Sequence, residues 1–570
     1  WDMETRMRQR EQTLRYVEEA KQAVEMFQGD TWVAPEVKIH TESGVEMEVS
    51  SLEEAEKALK EATNVLEMLQ KKRPFTHCEL DPQAILGLSA SIMPFPERSQ
   101  APRVTYQASM IKQALGIYHS NYNLRFDTTA KVLAFPTRPL FEPQVNALVG
   151  LNEAPAGITI NVAIMNFLGF NQEDALIFKK EAIERGLFVM TKYISMKTVR
   201  KQSREFIETF ERPPVRKGEP EGRYAHLDEN GIVRVGSQVR QGDCIVGKTR
   251  RNTATGEVTN ASLYVGIGDE GIVDRVVLSF NMEEALVARI KIRQVRAPIV
   301  GDKFASRYAQ KGTIGLIIPA RDLPFNEKTG MVPDLIINPT CIPSRMTVGK
   351  LVEIIASKYA ALAGERVDAS PFRPFDLELF KQTLINYGYN RFGTERFRSG
   401  ATGQLLVGEI FTGPCYYQAL RHHVKDKLQA RGRGNINPRT HQPVGGRSLV
   451  GGQRVGNMET DSFISHGASA VLQERLCYSS DAYRMVMCQT CGTIAISNVV
   501  SKEFICRQCG DKGNFGTTTA PYTLKLLIQM LGGVGFNVAA GLTRVDEIQL
   551  PKVERAIDDL PSTSEPPSDA

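Results

Sequence analysis

The spacing of apolar residues changes along the chain, and each spacing predicts a type of element. In SLEEAEKALKEATNVLEMLQKK, residues 51–72, apolar side chains recur every three or four positions, which is the period of one helix face. Ser51 and Glu54 have the spacing of a capping box at its start, and Pro74 follows its end. We expect this helix to pack on its own domain.

Two further helices are predicted later in the chain. RMTVGKLVEIIASKYAALAG, residues 345–364, has a helical apolar pattern that stops at Gly364. YYQALRHHVKDKLQARGRG, residues 416–434, places Leu420, Val424 and Leu428 on one helical face.

The chain between residue 75 and the later helices has other patterns. Apolar runs broken by Pro and Gly between residues 75 and 186 predict a mixed α/β region, which resumes at about residue 296. Between them, residues 187–297 contain short β-prone runs and turns such as Glu229-Asn230-Gly231 and Thr255-Gly256. At 570 residues the chain exceeds one usual hydrophobic core, so we predict a multidomain α+β protein with a β-rich insertion.

Charge and composition add three expectations. The net charge is only +5, but residues 421–454 carry +7, a basic stripe that suits a polyanion. The Pro/Ser-rich acidic tail, residues 551–570, is predicted to be disordered. No signal peptide or membrane-spanning run is recognisable, and since the chain begins without Met we expect a processed, split or partial polypeptide.

Four of the nine cysteines have the spacing of a metal site. Cys488 and Cys491 form one Cys-x-x-Cys pair, and Cys506 and Cys509 form another after fourteen intervening residues. A Gly follows each pair, and four thiolates leave no open coordination position, so structural Zn²⁺ is predicted. The remaining cysteines are expected to be small core residues: Cys78, Cys244, Cys341, Cys415 and Cys477.

Two lysines stand out in VGDKFASRYAQKGTIG, residues 300–315. A straight strand would separate Lys303 from Lys311 by roughly 27 Å and a helix by about 12 Å. A segment that folds back on itself would bring both amines toward one polyanion, such as a triphosphate or a phosphodiester backbone. The alternative is an ordinary solvated basic loop.

Acidic and basic partners for such a site occur elsewhere. Glu173 and Asp174 are adjacent in GFNQEDALIF, so one carboxylate can face a divalent metal while a cation holds the other; the alternative is surface charge. Arg103 and Arg345 lie in turn-like settings, and Arg345 lies where a helix is predicted to start, so its guanidinium can clamp phosphate beside the backbone donors there. The alternative for each arginine, taken alone, is a structural role and not phosphate binding.

In one order along the chain, these motifs resemble the second-largest subunit of multisubunit RNA polymerase, of the eukaryotic, archaeal or large-DNA-virus type. The resemblance rests on segments that include QAPRVTYQASMIKQALG, GFNQEDALI, GDKFASRYAQKGTIG, INPTCIPSRMTVGKLVE and the cysteine pairs, and it covers the C-terminal half of that subunit. The family often has His-Gly where this chain has Tyr308-Ala309.

The resemblance implies a domain order. The expected domains are an external-type region (1–75), a hybrid-binding domain in two parts (76–186 and 298–452) and an inserted β-rich wall or flap (187–297). An anchor (453–478), a clamp segment with a zinc ribbon (479–550) and the tail (551–570) follow. The second hybrid-binding part would contain a double-psi β-barrel that carries the two lysines.

The resemblance also implies residue roles. Lys303 and Lys311 would contact the RNA 3′ end and the nucleotide phosphates, Arg103 and Arg345 would grip the triphosphate, and Asp174 beside Glu173 would share the second Mg²⁺. Nucleic-acid contacts would come from the following residues: Lys112, Gln113, Arg421, Lys425, Arg447 and Arg454. The implied partners are the largest and smaller polymerase subunits, template DNA, nascent RNA and NTPs, in a nucleus, or in cytoplasm or a virion for an archaeal or viral enzyme.

Two-metal phosphodiester formation also needs a carboxylate cluster for the first ion, such as Asp-x-Asp-x-Asp. The 570 residues contain no such run, so a co-catalytic nucleotidyltransferase subunit, active only with the largest subunit, is predicted. The alternatives are a non-catalytic zinc-ribbon protein that binds nucleic acid, and a stand-alone phosphotransferase.

Overall fold

The computed structural model describes residues 3–28, 37–40, 46–49, 52–71, 80–215, 220–498, 503–510 and 513–542. Ser51, Pro74, Cys78 and the tail 551–570 lie outside the described residues, so the predictions made for them are not addressed by the structure. The chain divides into two units, Trp1–Asp426 and Lys427–Ala570.

The described residues form helices and strands that are numbered here in chain order. The helices are α1 (Met3–Gln28), α2 (Leu52–Lys71), α3 (Leu88–Ser91), α4 (Ala101–Met110), α5 (Val145–Leu148), α6 (Lys180–Glu184), α7 (Val348–Ala363), α8 (Leu377–Asn386), α9 (Val424–Lys427), α10 (Asn457–His466), α11 (Ser469–Gln473) and α12 (Tyr522–Val534). The strands are β1 (Val37–His40), β2 (Glu46–Val49), β3 (Thr129–Leu133), β4 (Phe141–Glu142), β5 (Ile158–Ile164), β6 (Ala175–Lys179), β7 (Met190–Val199), β8 (Phe206–Phe210), β9 (Gln238–Val239), β10 (Cys244–Val246), β11 (Lys248–Asn252), β12 (Val258–Asn260), β13 (Leu263–Tyr264), β14 (Gly271–Phe280), β15 (Leu286–Arg296), β16 (Lys303–Ser306), β17 (Lys311–Ile318), β18 (Phe325–Asn326), β19 (Leu335–Ile337), β20 (Val367–Asp368), β21 (Thr394–Arg398), β22 (Leu405–Ala419), β23 (Ala482–Cys488), β24 (Ile496–Asn498), β25 (Glu503–Ile505) and β26 (Phe515–Pro521).

Six strands of the first unit close into a barrel. Their order is β16-β17-β6-β19-β5-β22, and β22 pairs back to β16. The pairs β17/β6 and β19/β5 are parallel, and the other four are antiparallel. Alternate residues such as Val162, Phe178 and Phe304 fill the interior, because side chains on a strand point to opposite faces in turn. The mixed α/β character that the sequence predicted is therefore confirmed.

The prediction of a helix over residues 416–434 is wrong. Residues up to Ala419 belong to β22, where Tyr417 is 1% exposed and Cys415 is fully buried in the barrel. Leu420 then forms a backbone bridge with Ala114, and the helix is the single turn α9. Closing the barrel satisfies the backbone hydrogen bonds of this segment and buries its aromatic residues, which outweighs its helical spacing.

The prediction for residues 345–364 is confirmed in type, with a later start. Helix α7 begins at Val348 and ends at Ala363, and Gly364 caps it with φ of 77°. A left-handed backbone there suits Gly because a side chain would be strained. The helix packs along β22, and a Cβ atom added at Gly413 would lie 2.9 Å from Ile354 Cγ2, so this glycine permits the close approach.

The β-rich character of residues 187–297 is borne out by the strands from β7 to β15. Long antiparallel strands β7, β15 and β14 form the centre of a five-stranded sheet with β3 and β9 at its edges. This region has its own hydrophobic cluster, which includes Tyr224, Val246 and Ile290. Gly231 and Gly256 have φ of 75° and 70° in the two predicted turns.

Helices α1 and α2 pack on each other through small side chains. Ala20, Ala23, Ala55 and Ala62 are all fully buried between them. This is the packing expected for the apolar face of residues 51–72, over the part of α2 whose side chains the structure describes. None of the helices in the described part of the chain combines the length and the apolar character that crossing a membrane requires.

Candidate catalytic and nucleic-acid-binding site

The two lysines of residues 300–315 lie on one hairpin of the barrel. Strands β16 and β17 are antiparallel, with Lys303 opposite Thr313 and Lys311 two residues before Thr313. Both lysines therefore project from the same outer face, while Phe304 and Ile314 point into the barrel. Diagonal neighbours of this kind are roughly 7–8 Å apart, so both amines can reach one phosphate chain.

Asp174 lies directly beside this hairpin. Strand β6 runs parallel to β17 and begins next to it, and a Cβ atom added at Gly312 would lie 2.3 Å from the carbonyl oxygen of Asp174. Only Gly permits that approach. Glu173 and Asp174 have φ of 47° and 70°, so two consecutive left-handed residues turn their carboxylates in different directions.

Arg345 and Asp174 form an ion pair. One guanidinium nitrogen, Nη2, donates to both carboxylate oxygens, and the two side chains are 17% and 34% exposed. Glu173 is exposed. Arg345 ends a 3-10 turn, Pro343–Arg345, and Met346 follows with φ of 51°, so Arg345 precedes α7 and does not lie in its first turn.

Arg103 lies in the first turn of α4, which corrects the turn-like setting expected from the sequence. A backbone bridge between Ser99 and Thr347 joins the approach to this helix with the approach to α7. The Arg103 guanidinium lies 5.6 Å from the ring centre of Tyr106, and among the described residues its buried Nε atom has no hydrogen-bond partner. The two arginines therefore follow or precede segments that this backbone bridge joins.

A buried ion pair that sequence reasoning missed supports the hairpin from behind. Arg307, in the turn between the lysines, donates through Nη2 to Oε1 of Glu353 on α7 at 2.7 Å, and the two side chains are 3% and 0% exposed. The same Oε1 accepts the backbone N–H of Tyr416 at 2.9 Å. The pair thus joins the turn, α7 and β22. The sequence contained one signal for this ion pair, because Glu353 is a charged residue within the apolar pattern of α7.

Gln310 is a second buried support, again missed from the sequence. Its Nε2 donates to Thr347 Oγ1 at 2.6 Å and to the carbonyl of Cys341 at 3.3 Å. Its Oε1 accepts from Lys350, whose Nζ also donates to the Tyr417 hydroxyl at 3.0 Å. Because Cys341 and Thr347 flank Arg345 in sequence, Gln310 links the turn before Lys311 to the segment that carries Arg345.

The turn between the two lysines has a left-handed backbone at Ala309. Ala309 has φ of 58°, a left-handed conformation that Gly adopts freely, at the position where the family often has Gly. Tyr308 is fully buried, and burial raises the pKa of its phenol well above the usual value. It therefore stays neutral at physiological pH.

Gln113 and His422 lie close to Lys303, through the segment that follows β22. The backbone N–H of Arg421 donates to the Gln113 carbonyl at 3.0 Å, and His422 Nε2 lies 2.8 Å from Gln113 Oε1. The Leu420 N–H donates to the Lys303 carbonyl at 2.9 Å. Lys112, Gln113 and Arg421 are thus adjacent to the lysine hairpin. His422 was not predicted.

A cluster of positive charges surrounds Asp426 in α9. Asp426 accepts from Lys131 Nζ at 2.7 Å and from Arg296 Nη1 at 2.7 Å, and Lys192 Nζ lies 3.4 Å away. Burial alone would raise the pKa of Asp426, but the hydrogen bonds from Lys131 and Arg296 outweigh burial and hold that pKa well below its usual value. Burial and the Lys131 charge lower the pKa of His423 to about 4, so its neutral Nδ1 accepts from Lys131.

Replacing Asp426 by Asn is expected to destabilise the first unit by about 3 kcal/mol at neutral pH, because three cations lose their carboxylate. The folded pKa of Asp426 lies below the unfolded value of about 3.9, so its contribution is complete above that pH and is lost as the pH falls further. Urea unfolding followed by circular dichroism at pH 7 and pH 3.5 measures this. The difference between wild type and variant should shrink at the lower pH.

Asp322→Asn is the control, since Asp322 is 46% exposed and its nearest cation is the adjacent Arg321. A difference below about 0.5 kcal/mol is expected there. A similarly small effect of Asp426→Asn would contradict a stabilising role for the cluster.

The basic stripe is divided between the two units. Arg421 and Lys425 belong to the first unit and are exposed. Arg447 and Arg454 belong to the second, where Arg447 Nε donates to the Leu428 carbonyl at 2.9 Å and Arg454 is exposed. The predicted nucleic-acid contacts are therefore grouped around the hairpin in one unit and placed on a glycine-rich segment in the other.

The four paired cysteines converge in the second unit. Their sulfurs lie within 4.8 Å of one another, at the end of β23 for Cys488 and just after β25 for Cys506. Gly492 and Gly510 have φ of 71° and 61°, which allows each knuckle to turn sharply after its second cysteine. Four clustered thiols match the donor set and coordination number of structural Zn²⁺.

The other cysteines are not part of a metal cluster within the described residues. Cys244, Cys415 and Cys477 are buried, as predicted, and Cys341 is half-buried.

Comparisons with known proteins agree on one family. The family model described as RNA polymerase Rpb2, domain 6, matches residues 89–449, and that of domain 7 matches residues 451–543. The chain is 42% identical over 485 residues to DNA-directed RNA polymerase II subunit RPB2 of Schizosaccharomyces pombe, covering 82% of this chain and 40% of that protein. It is 42% identical over 468 residues to DNA-directed RNA polymerase II subunit 2 of Arabidopsis thaliana, covering 80% of this chain and 39% of that protein. It is 40% identical over 468 residues to DNA-directed RNA polymerase subunit Rpo2 of Saccharolobus solfataricus, covering 80% and 42%. The chain thus spans about 40% of the length of these relatives.

Proposed function

The chain belongs to the RNA polymerase Rpb2 family, and we propose that it supplies the nucleotide- and hybrid-binding surface of the second-largest subunit of a DNA-dependent RNA polymerase. The observation that carries this proposal is the hairpin with two lysines directly beside the Asp174–Arg345 pair. This arrangement offers cations to phosphates and a carboxylate to a metal at one place. Its partners are the largest subunit, the smaller subunits, template DNA, nascent RNA and NTPs.

The residue roles follow from charge and position. Lys303 and Lys311 neutralise phosphates of the RNA 3′ end and the incoming nucleotide, since both project from the same face of the hairpin, Lys311 exposed and Lys303 half-buried. Arg345, with Arg103 from the neighbouring helix, holds the triphosphate. Six residues contact nucleic acid: Lys112, Gln113, Arg421, Lys425, Arg447 and Arg454.

Asp174, next to Glu173, offers carboxylate oxygens to the second Mg²⁺, and such oxygens are the ligands that this ion prefers. Bound Mg²⁺ would neutralise charge on the triphosphate. Asp174 pairs with Arg345, so a metal bound at this carboxylate would compete with the guanidinium and would leave Arg345 available to phosphate. The first Mg²⁺ needs a carboxylate cluster from the largest subunit.

The architecture supports the same reading. We propose that the closed ring of six strands, with its two parallel pairs, is a double-psi β-barrel. Residues 187–297 form the wall, and the two cysteine knuckles form a zinc ribbon that holds structural Zn²⁺. With relatives in eukaryotes and archaea, the place of action is the nucleus in a eukaryotic cell and the cytoplasm in an archaeal cell.

Affinity purification of the tagged chain from its native source tests the proposal. We expect a chain with an Asp-x-Asp-x-Asp loop to co-purify, and the assembly to extend RNA on a template. The isolated chain should show no nucleotide turnover. Turnover by the isolated chain, or salt-sensitive DNA binding without any polymerase partner, would instead favour a phosphotransferase or a non-catalytic zinc-ribbon protein.

A further inference from the structure

A hydroxyl group lies against the cysteine cluster of the second unit. Thr493 Oγ1 is 3.0 Å from Cys491 Sγ and 3.7 Å from Cys506 Sγ, and those two sulfurs are 3.4 Å apart. Thr493 is therefore the side chain that bridges one sulfur of each knuckle. Its residue type is independent of the Cys-x-x-Cys-Gly spacing, because it lies one position beyond Gly492.

The direction of this hydrogen bond is set by the chemistry of a zinc site. Cysteine binds Zn²⁺ as a thiolate, which has no proton to donate. The Thr493 hydroxyl must then be the donor, and the sulfur of Cys491, which lies nearer, is its main acceptor. A donor to a coordinated thiolate spreads its charge and orients it, which are the functions of groups that surround metal ligands.

The local backbone holds Thr493 in this position. Its carbonyl accepts the N–H of Cys488 at 2.9 Å, and Ile494 forms a backbone bridge with Met487 on β23. On its other side, the Gly492 carbonyl accepts the N–H of Ala540 at 2.8 Å. Thr493 is half-buried, so its hydroxyl is partly shielded from water that would compete for the proton.

Both knuckles also have backbone donors to their first cysteine, from Cys491 to Cys488 in the first knuckle and from Cys509 to Cys506 in the second. The backbone N–H of Cys509 donates to Cys506 Sγ at 3.4 Å, an interaction that no side-chain substitution removes. Thr493 thus provides a side-chain donor to the first knuckle that can be removed without changing any cysteine.

We propose that Thr493 is a positioning residue for the zinc site, and that its hydroxyl retains the metal by donating a hydrogen bond to the thiolate of Cys491. This inference rests on the proposed zinc site. It assigns to this chain a determinant of metal retention outside the four ligands.

The test compares Thr493→Val, which keeps the shape and removes the hydroxyl, with Thr493→Ser, which keeps the hydroxyl. Each full-length chain is loaded with Zn²⁺, its metal content is measured by mass spectrometry, and release to a chromogenic chelator is timed. We expect Thr493→Val to release zinc roughly tenfold faster than wild type and Thr493→Ser to stay within about twofold. With Co²⁺ in place of zinc, the thiolate-to-metal absorption band should shift in the Val variant only.

Thr519→Val is the matched control, because Thr519 is exposed on β26 of the same unit. It should release zinc at the wild-type rate. Equal release from wild type and Thr493→Val, or equally fast release from the Val and Ser variants, would overturn the role of the hydroxyl. Wild-type chain that retains no zinc would overturn the zinc site itself, a result distinguishable because metal content is measured first.

Discussion

Replacing Lys311 by Ala is expected to slow nucleotide addition by the assembled polymerase roughly 100-fold while template binding changes little. Lys311 is exposed at the start of β17, and the next residue, Gly312, packs against the carbonyl of Asp174, so phosphate charge bound beside this carboxylate would have to be neutralised from here. Template affinity is spread over many phosphate contacts, so one lysine carries a small share of it. Single-nucleotide extension by rapid quench, alongside retention of a labelled scaffold, measures both quantities.

Lys303→Ala should show the same separation of rate from binding, since Lys303 shares that face of the hairpin. Lys180→Ala is the matched control, because α6 follows the opposite end of β6 from Asp174 and the Lys180 side chain is 55% exposed. Lys311→Arg should recover part of the rate because it restores the charge with a different shape. If Lys303→Ala or Lys311→Ala weakened template binding as much as it slowed addition, the assignment to nucleotide phosphates would be wrong.

Replacing Glu353 by Gln is expected to destabilise the first unit by about 3–5 kcal/mol. The substitution leaves the Arg307 guanidinium, 3% exposed, without its carboxylate in the protein interior. It also weakens the acceptor for the backbone N–H of Tyr416. Urea unfolding at neutral pH, followed by circular dichroism in the far ultraviolet, gives the change in free energy.

Glu378→Gln supplies the comparison for an exposed ion pair. Glu378 is 69% exposed and pairs with Lys381 on the surface of α8, so a change below about 1 kcal/mol is expected. The double variant Arg307→Met/Glu353→Leu removes both charges and should lose less stability than Glu353→Gln alone. Equal loss from the single and double variants would argue against an unpaired buried charge as the cause.

The positions of charge in the sequence indicated much of the candidate site. The two lysines, the adjacent Glu173 and Asp174, and Arg345 all lie in or near one region of the first unit, as the proposed site requires. The supports were not predicted. Arg307 and Gln310 lie in the turn of the hairpin, 46 and 37 residues before their partners Glu353 and Thr347, and both contacts depend on α7 and its approach packing behind the hairpin.

The failed helix shows the limit of periodicity. Residues 416–434 have apolar positions at helical spacing, yet Tyr416 and Tyr417 pair with β5 in the barrel. A short apolar run is compatible with a helix and with a strand that is buried on both faces. These residues form a strand because β22 closes the barrel by pairing with β5 and β16, which are distant in sequence.

By itself, the sequence determined the helix α7 with its glycine stop, the β-rich insertion, the mixed α/β class and the two cysteine knuckles. Each of these depends on neighbours within a few residues, through helix period, turn chemistry or ligand spacing. Tertiary structure alone decided that β22 closes the barrel, that Asp174 binds Arg345, and that a buried network supports the hairpin. Those outcomes depend on which residues, distant in sequence, are buried against each other, and the local sequence pattern does not specify these contacts.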